Sequence, residues 1–117
     1  MKVEQIKLHS AYKISRKNNN ALSSLRYRVF DKKLLGRGKT KYWHIRCLEH
    51  EYFHTDLESI IIIPTRIFIP PTKRGSIFKP KLIELIYNGK IFYAFSPDYT
   101  RSRTLFNRND FYIRRIK

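Results

Sequence analysis

The dipeptide Asn88-Gly89 sits between two apolar runs, residues 82–87 and 90–95. Asn and Gly are the residues that most readily take the left-handed backbone, which both central positions of a type I′ turn demand. The segment 82–95 therefore reads as a β-hairpin. An isolated hairpin is barely stable in water, so the rest of the chain has to supply strands that cover its apolar side.

Such strands are visible on both sides. Ile6, Leu8, Tyr12 and Ile14 fall on alternate positions with Ser10 between them, which predicts a first strand over about 4–16. The run Asn18-Asn19-Asn20 ends it in a turn. Residues 21–35 carry two patterns: Leu22, Leu25 and Val29 keep helical spacing, while Leu25, Tyr27 and Val29 alternate with Arg26 and Arg28. The strand is preferred, because the Tyr-Arg-Val-Phe stretch suits a sheet. A glycine-bearing loop at 35–39 leads to a strand at 40–48. Residues 59–69 combine β-branched residues with Pro64, which predicts a strand that bends or bulges at a sheet edge. Residues 70–75 read as exposed loop, Ser96-Pro97-Asp98 closes the hairpin, and 111–116 supply a last short strand. The expected fold is mainly β (or α+β), a small antiparallel sheet or barrel with at most one or two short helices. A chain of 117 residues without internal repeat or linker is expected to form one domain over 1–117.

Charge decides the class of partner. The formal net charge is +16, far beyond what solubility needs, and crowding like charges on a small surface costs stability. The excess is uneven: in residues 1–46 the only acids are Glu4 and Asp31, residues 47–63 hold acids and no Lys or Arg, and 101–117 are basic again. A polyanion that neutralises this surface is expected. Nucleic acid is favoured over a membrane, since no apolar run approaches the roughly 18 residues of a membrane span and no helix pairs an apolar face with a Lys-rich one. An acidic protein groove is a further partner class that the charge admits. Cys47 is the sole cysteine, so no internal disulfide forms and a reducing, cytoplasmic setting is expected. The opening residues lead into no apolar stretch of the kind a signal peptide needs.

Phosphate binding needs cations gathered on one surface, and base contact needs aromatic or guanidinium planes. Arg26 and Arg28 form one same-face pair. Tyr42, His44 and Arg46 alternate along the 40–48 strand, with Lys39, Lys41 and Arg37 at its mouth. Lys73 and Arg74 mark the 70–75 loop, and the C-terminal stretch adds Arg101, Arg103, Arg108, Tyr112, Arg114 and Arg115. The planar guanidinium matches phosphate oxygens bidentately and stacks on bases, so this arginine-rich end favours RNA over DNA. The expected role is a nucleic-acid-binding accessory or regulatory protein, alone or within a nucleoprotein complex, and no cofactor is called for.

One motif points elsewhere. His50-Glu51-Tyr52-Phe53-His54 fits the H-E-x-x-H pattern of zinc metalloproteases, in which two His residues one helical turn apart hold the metal and the Glu activates bound water. On that alternative His50 and His54 are zinc ligands, Glu51 is the general base, and Asp56, Glu58 or Glu84 would have to complete the site. As a strand, the same residues lose the required geometry. A further alternative is a small basic ribonuclease or toxin, with His44, His50, His54 and Glu51 for proton transfer beside Arg46. The accessory-factor reading is preferred to both.

Overall fold

The computed structural model describes residues 3–16, 29–36, 41–47, 59–77, 79–98, 105–106 and 111–116. Their regular structure is almost entirely β. The strands are β1 (Tyr12–Arg16), β2 (Val29–Leu35), β3 (Tyr42–Cys47), β4 (Ser59–Phe68), β5 (Leu82–Tyr87), β6 (Lys90–Phe95) and β7 (Phe111–Arg115), preceded by one 3-10 turn at Val3–Gln5. All pairings are antiparallel, in the order β3-β2-β6-β5-β4-β1-β7.

The hairpin forms as its turn chemistry dictates. Tyr87 pairs with Lys90, and Asn88 and Gly89 take φ of 52° and 77°. The expected strands at 40–48 and 111–116 are present as β3 and β7, and the strand half of 21–35 is present as β2. Residues 21–28 lie outside the described set.

Two expectations are corrected. The first strand does not run from 4. Ile6 is buried but Leu8 is exposed, His9 adopts a left-handed φ of 65°, and the strand ladders begin only at Tyr12. The alternation of Ile6, Leu8 and Ser10 thus belongs to a turn and a crossing segment. It is held by Lys7 N, which donates to the Tyr12 hydroxyl at 2.8 Å, and by His9 N, which donates to the Pro64 carbonyl at 2.7 Å.

The second correction concerns Pro64, which does bend its strand but not at an edge. β4 is interior, with β1 on one side and β5 on the other. Its first half, Ser59 to Ile62, pairs with β1, and its second half pairs with β5, with a register shift between Pro64 and Arg66. A strand residue points its N and its C=O to the same side. The Pro64 carbonyl meets His9 N, so its imide nitrogen faces the turn beyond the end of β1, where no ladder donor is required.

Residues directly opposite in a ladder share a face. Tyr12, Ile14, Ile60, Ile62, Ile83, Leu85, Phe92, Ala94 and Phe111 all fall on one face, and with Ile6, Leu105 and Phe106 they make the main core. The other face carries a smaller cluster of Leu82 and Tyr93 with Trp43, Phe68 and Phe95 packed against them.

This second cluster shows that the sheet curls. β3 and β4 are separated by three strands, which in a flat sheet would hold them about 19 Å apart. Yet the rings of Trp43 and Phe68 meet at 5.1 Å, and Trp43 N donates to the Pro71 carbonyl at 3.1 Å. Strands β2 to β6 thereby wrap the aromatic cluster like an incomplete barrel.

The Gly89→Ala variant adds a Cβ that meets nothing within 4 Å, so its cost is only that of holding an L side chain at positive φ. Urea denaturation should show a loss of about 1 kcal/mol with unchanged m. Leu85→Ala, which empties a fully buried core position, should cost about 3 kcal/mol in the same assay.

Candidate nucleic-acid interface

The curl decides which cations meet. By bonding to the Pro71 carbonyl, Trp43 N ties the start of β3 to the connection between β4 and β5. Lys41 and Tyr42 are thus brought beside the stretch that carries Lys73 and Arg74. Lys41, Lys73 and Arg74 are exposed and Tyr42 is half-buried.

The β4–β5 connection, residues 69–81, is held at both ends. Pro70 and Pro80 are buried, Trp43 N bonds Pro71, and Ser96 N donates to the Lys81 carbonyl at 3.0 Å. Its tip is a turn closed by Ser76 N donating to the Lys73 carbonyl at 3.0 Å, with Gly75 at φ 83°. A positive φ at the third turn position is the mark of a type II turn, and glycine takes it without strain. Lys73, Arg74, Lys79 and Lys81 are all exposed along this connection, which contains no acid. Ile77, beside the tip, is 95% exposed.

Next to this rim lies an aromatic platform with two cations on it. Trp43 meets Tyr93 edge-on at 4.8 Å and Phe68 at 5.1 Å. The Lys32 ammonium lies 4.2 Å from the Trp43 ring centre and 5.7 Å from that of Tyr93, while the Arg66 guanidinium lies 3.8 Å from that of Phe68. A cation over an aromatic face gains about 0.5–1 kcal/mol when it stays partly hydrated.

Arg66 also pairs with Glu84, Nη2 to Oε2 at 3.0 Å, and Thr65, skipped by the ladder at the β4 register shift, donates to Glu84 Oε1 at 2.9 Å. Both carboxylate oxygens of Glu84 are therefore engaged. At the exposure of Arg66 the ion pair is worth at most about 1 kcal/mol. Its larger effect is geometric, because it steers the guanidinium over Phe68.

The other sequence-derived candidates fall elsewhere. Arg114 and Arg115 are exposed on β7, the opposite end of the sheet order from β3. Arg46 is set across from Asp31 and His44 across from Lys33 in the β2–β3 ladder. Arg26, Arg28, Arg37, Lys39, Arg101, Arg103, Arg108 and the His50-Glu51-x-x-His54 motif lie outside the described residues. Among the described residues no three His, Cys, Asp or Glu side chains are grouped to hold a metal, and no helix is long and apolar enough to cross a membrane.

Sequence reasoning missed Lys32, Trp43, Arg66, Lys79 and Lys81. Arg66 and Phe68 stand two apart on a strand, which hints at a shared face, and Lys79 and Lys81 flank a proline. For Lys32 and Trp43 there was no local signal, because their meeting depends on the β2–β3 register and on the curl.

No family model matches the chain, and comparison with curated proteins and with solved structures finds no match either.

Lys32→Met keeps most of the stem but removes the ammonium from the Trp43 ring. It should lower stability by about 0.5–1 kcal/mol and shift the emission of Trp43, the sole tryptophan, a change that fluorescence of the folded protein will read directly.

Proposed function

We propose that this chain binds nucleic acid, RNA in preference to DNA, as an accessory or regulatory factor in a reducing compartment such as the cytoplasm. The observation that carries the reading is the acid-free β4–β5 connection. It holds Lys73, Arg74, Lys79 and Lys81 exposed and is bonded to the mouth of β3, where Lys41 and Tyr42 stand. With the backbone of the connection fixed at both ends, only the side chains have to be ordered on meeting phosphates, so less of the electrostatic gain is spent on ordering.

The chemistry of the surroundings favours a single strand. Splayed bases need planar groups to stack on, and the half-buried rings of Tyr42 and Trp43 and the exposed Arg66 guanidinium adjoin the cationic rim. No described helix longer than a single turn is available to enter a duplex groove.

Counterion release gives the test. Affinity for a single-stranded RNA should fall linearly on a log-log plot against salt, with a slope near −0.7 for each phosphate neutralised. Lys73→Ala/Arg74→Ala should weaken binding and flatten the slope by about 1 to 2, leaving the Tm unchanged. Binding should also perturb Trp43 emission. An affinity that ignores salt, or a double variant that binds as the wild type does, would remove the proposal. Capture of an acidic protein, undiminished by nuclease, would favour the protein-groove partner instead.

A further inference from the structure

We infer that the outer face of β1 and β7 is a second polyanion-binding surface, so that one molecule holds two nucleic-acid segments at once. This rests on the nucleic-acid reading and extends it from binding to bridging.

The observation is a like-charge pair built into a ladder. Lys13 of β1 stands directly opposite Arg114 of β7. Directly opposed side chains have Cβ atoms about 5 Å apart, and two like charges there destabilise the sheet. Neither strand contains an acid, and the β4 residue opposite Lys13 on its other side is Ile61. No ladder neighbour therefore offsets the repulsion, whereas Arg66 has Glu84 directly across.

The surroundings are those of a ligand surface. Tyr12, Ile14 and Phe111 turn to the core, so the alternate residues Lys13, Ser15, Tyr112 and Arg114 form the outer face. Tyr112 is 62% exposed and Ile61 54% exposed. Two cations thus stand beside an aromatic ring and a hydroxyl, a set that can hold a phosphate and stack a base. A bound phosphate would convert the Lys13–Arg114 repulsion into two attractions.

This surface is separate from the one at β3. Lys13 stands opposite Ile61 near the start of β4, whereas Trp43 meets Phe68 at its far end, roughly 20 Å along the strand, and the β4–β5 connection beyond Phe68 is tied to β3. A short oligonucleotide on one surface leaves the other open. Cations on an edge strand also discourage edge-to-edge aggregation, a duty one of the two would perform alone.

Energy transfer between two labelled oligonucleotides tests this. Donor- and acceptor-labelled RNAs of about eight nucleotides, short enough to fill one site, are mixed with the full chain at low salt. Transfer should peak near one protein per two oligonucleotides and vanish at excess protein, when each oligonucleotide has its own molecule. Lys13→Gln/Arg114→Gln should retain binding of a single oligonucleotide through the β4–β5 connection and lose transfer at least tenfold.

Lys13→Glu faces Arg114 with the opposite sign and should melt at or above the wild-type Tm while also losing transfer, which separates loss of bridging from loss of fold. Wild-type protein that binds the oligonucleotide but gives no transfer overturns the two-surface inference and leaves the nucleic-acid reading standing. Transfer that persists in both variants overturns it as well, assigning the bridging to another surface or to self-association. Failure to bind the oligonucleotide at low salt removes both.

Discussion

Everything in this fold depends on β4 changing partner along its length. Its first half belongs to the ladder with β1 and its second half to the ladder with β5, and the change falls at Pro64 and the register shift after it. Proline cannot donate to a ladder, so a strand interior is normally closed to it. Here the missing donor falls where β1 has ended and the crossing segment at His9 needs only an acceptor. The same interruption leaves Thr65 unpaired in the ladder, with its hydroxyl on Glu84, and sets Arg66 across from that carboxylate. One irregularity thus joins two ladders into one sheet and engages both carboxylate oxygens of Glu84.

The two faces of the sheet are used differently. One face is continuous apolar core from Phe111 across Ile14, Ile60, Leu85 and Ala94, and hydrophobic burial of these side chains supplies most of the stabilisation. The other face buries apolar side chains where β3 curls over Tyr93 and Leu82. Beyond that curl it carries Arg66, Glu84, Lys13 and Arg114, together with the exposed Ile61 and Ile91. Placing charge on the outer face keeps it hydrated, where it costs little, but does not remove mutual repulsion. On the proposed nucleic-acid reading, a polyanion bound to the folded form alone would add its binding free energy to stability.

Much of the fold could be read from local chemistry. Asn88-Gly89 announced the hairpin because its two residues tolerate positive φ, and β3 and β7 followed from short β-branched and aromatic runs. The first strand was read too long because Ile6, Leu8 and Ser10 keep the right period by chance, and periodicity cannot register a single left-handed residue such as His9. Pro64 was correctly seen as a bend and wrongly placed at an edge, because sequence shows that a donor is missing but not what lies opposite. For the candidate interface, exposed cations such as Lys73 and Arg74 were legible one by one. Their grouping was not, and Lys32 and Arg66 went unnoticed because the aromatic rings beneath them come from other strands.

The sequence alone determined the turn types, the strand-forming runs and the surplus of positive charge, since each depends on the residue itself or on near neighbours. Only the tertiary structure decided that, among the described residues, Lys73 and Arg74 stand on a connection tied to β3 while Lys13 confronts Arg114 across β1 and β7. Register and strand order are set by burial of one apolar face across contacts far apart in the chain, and a charge has no position until that burial is complete.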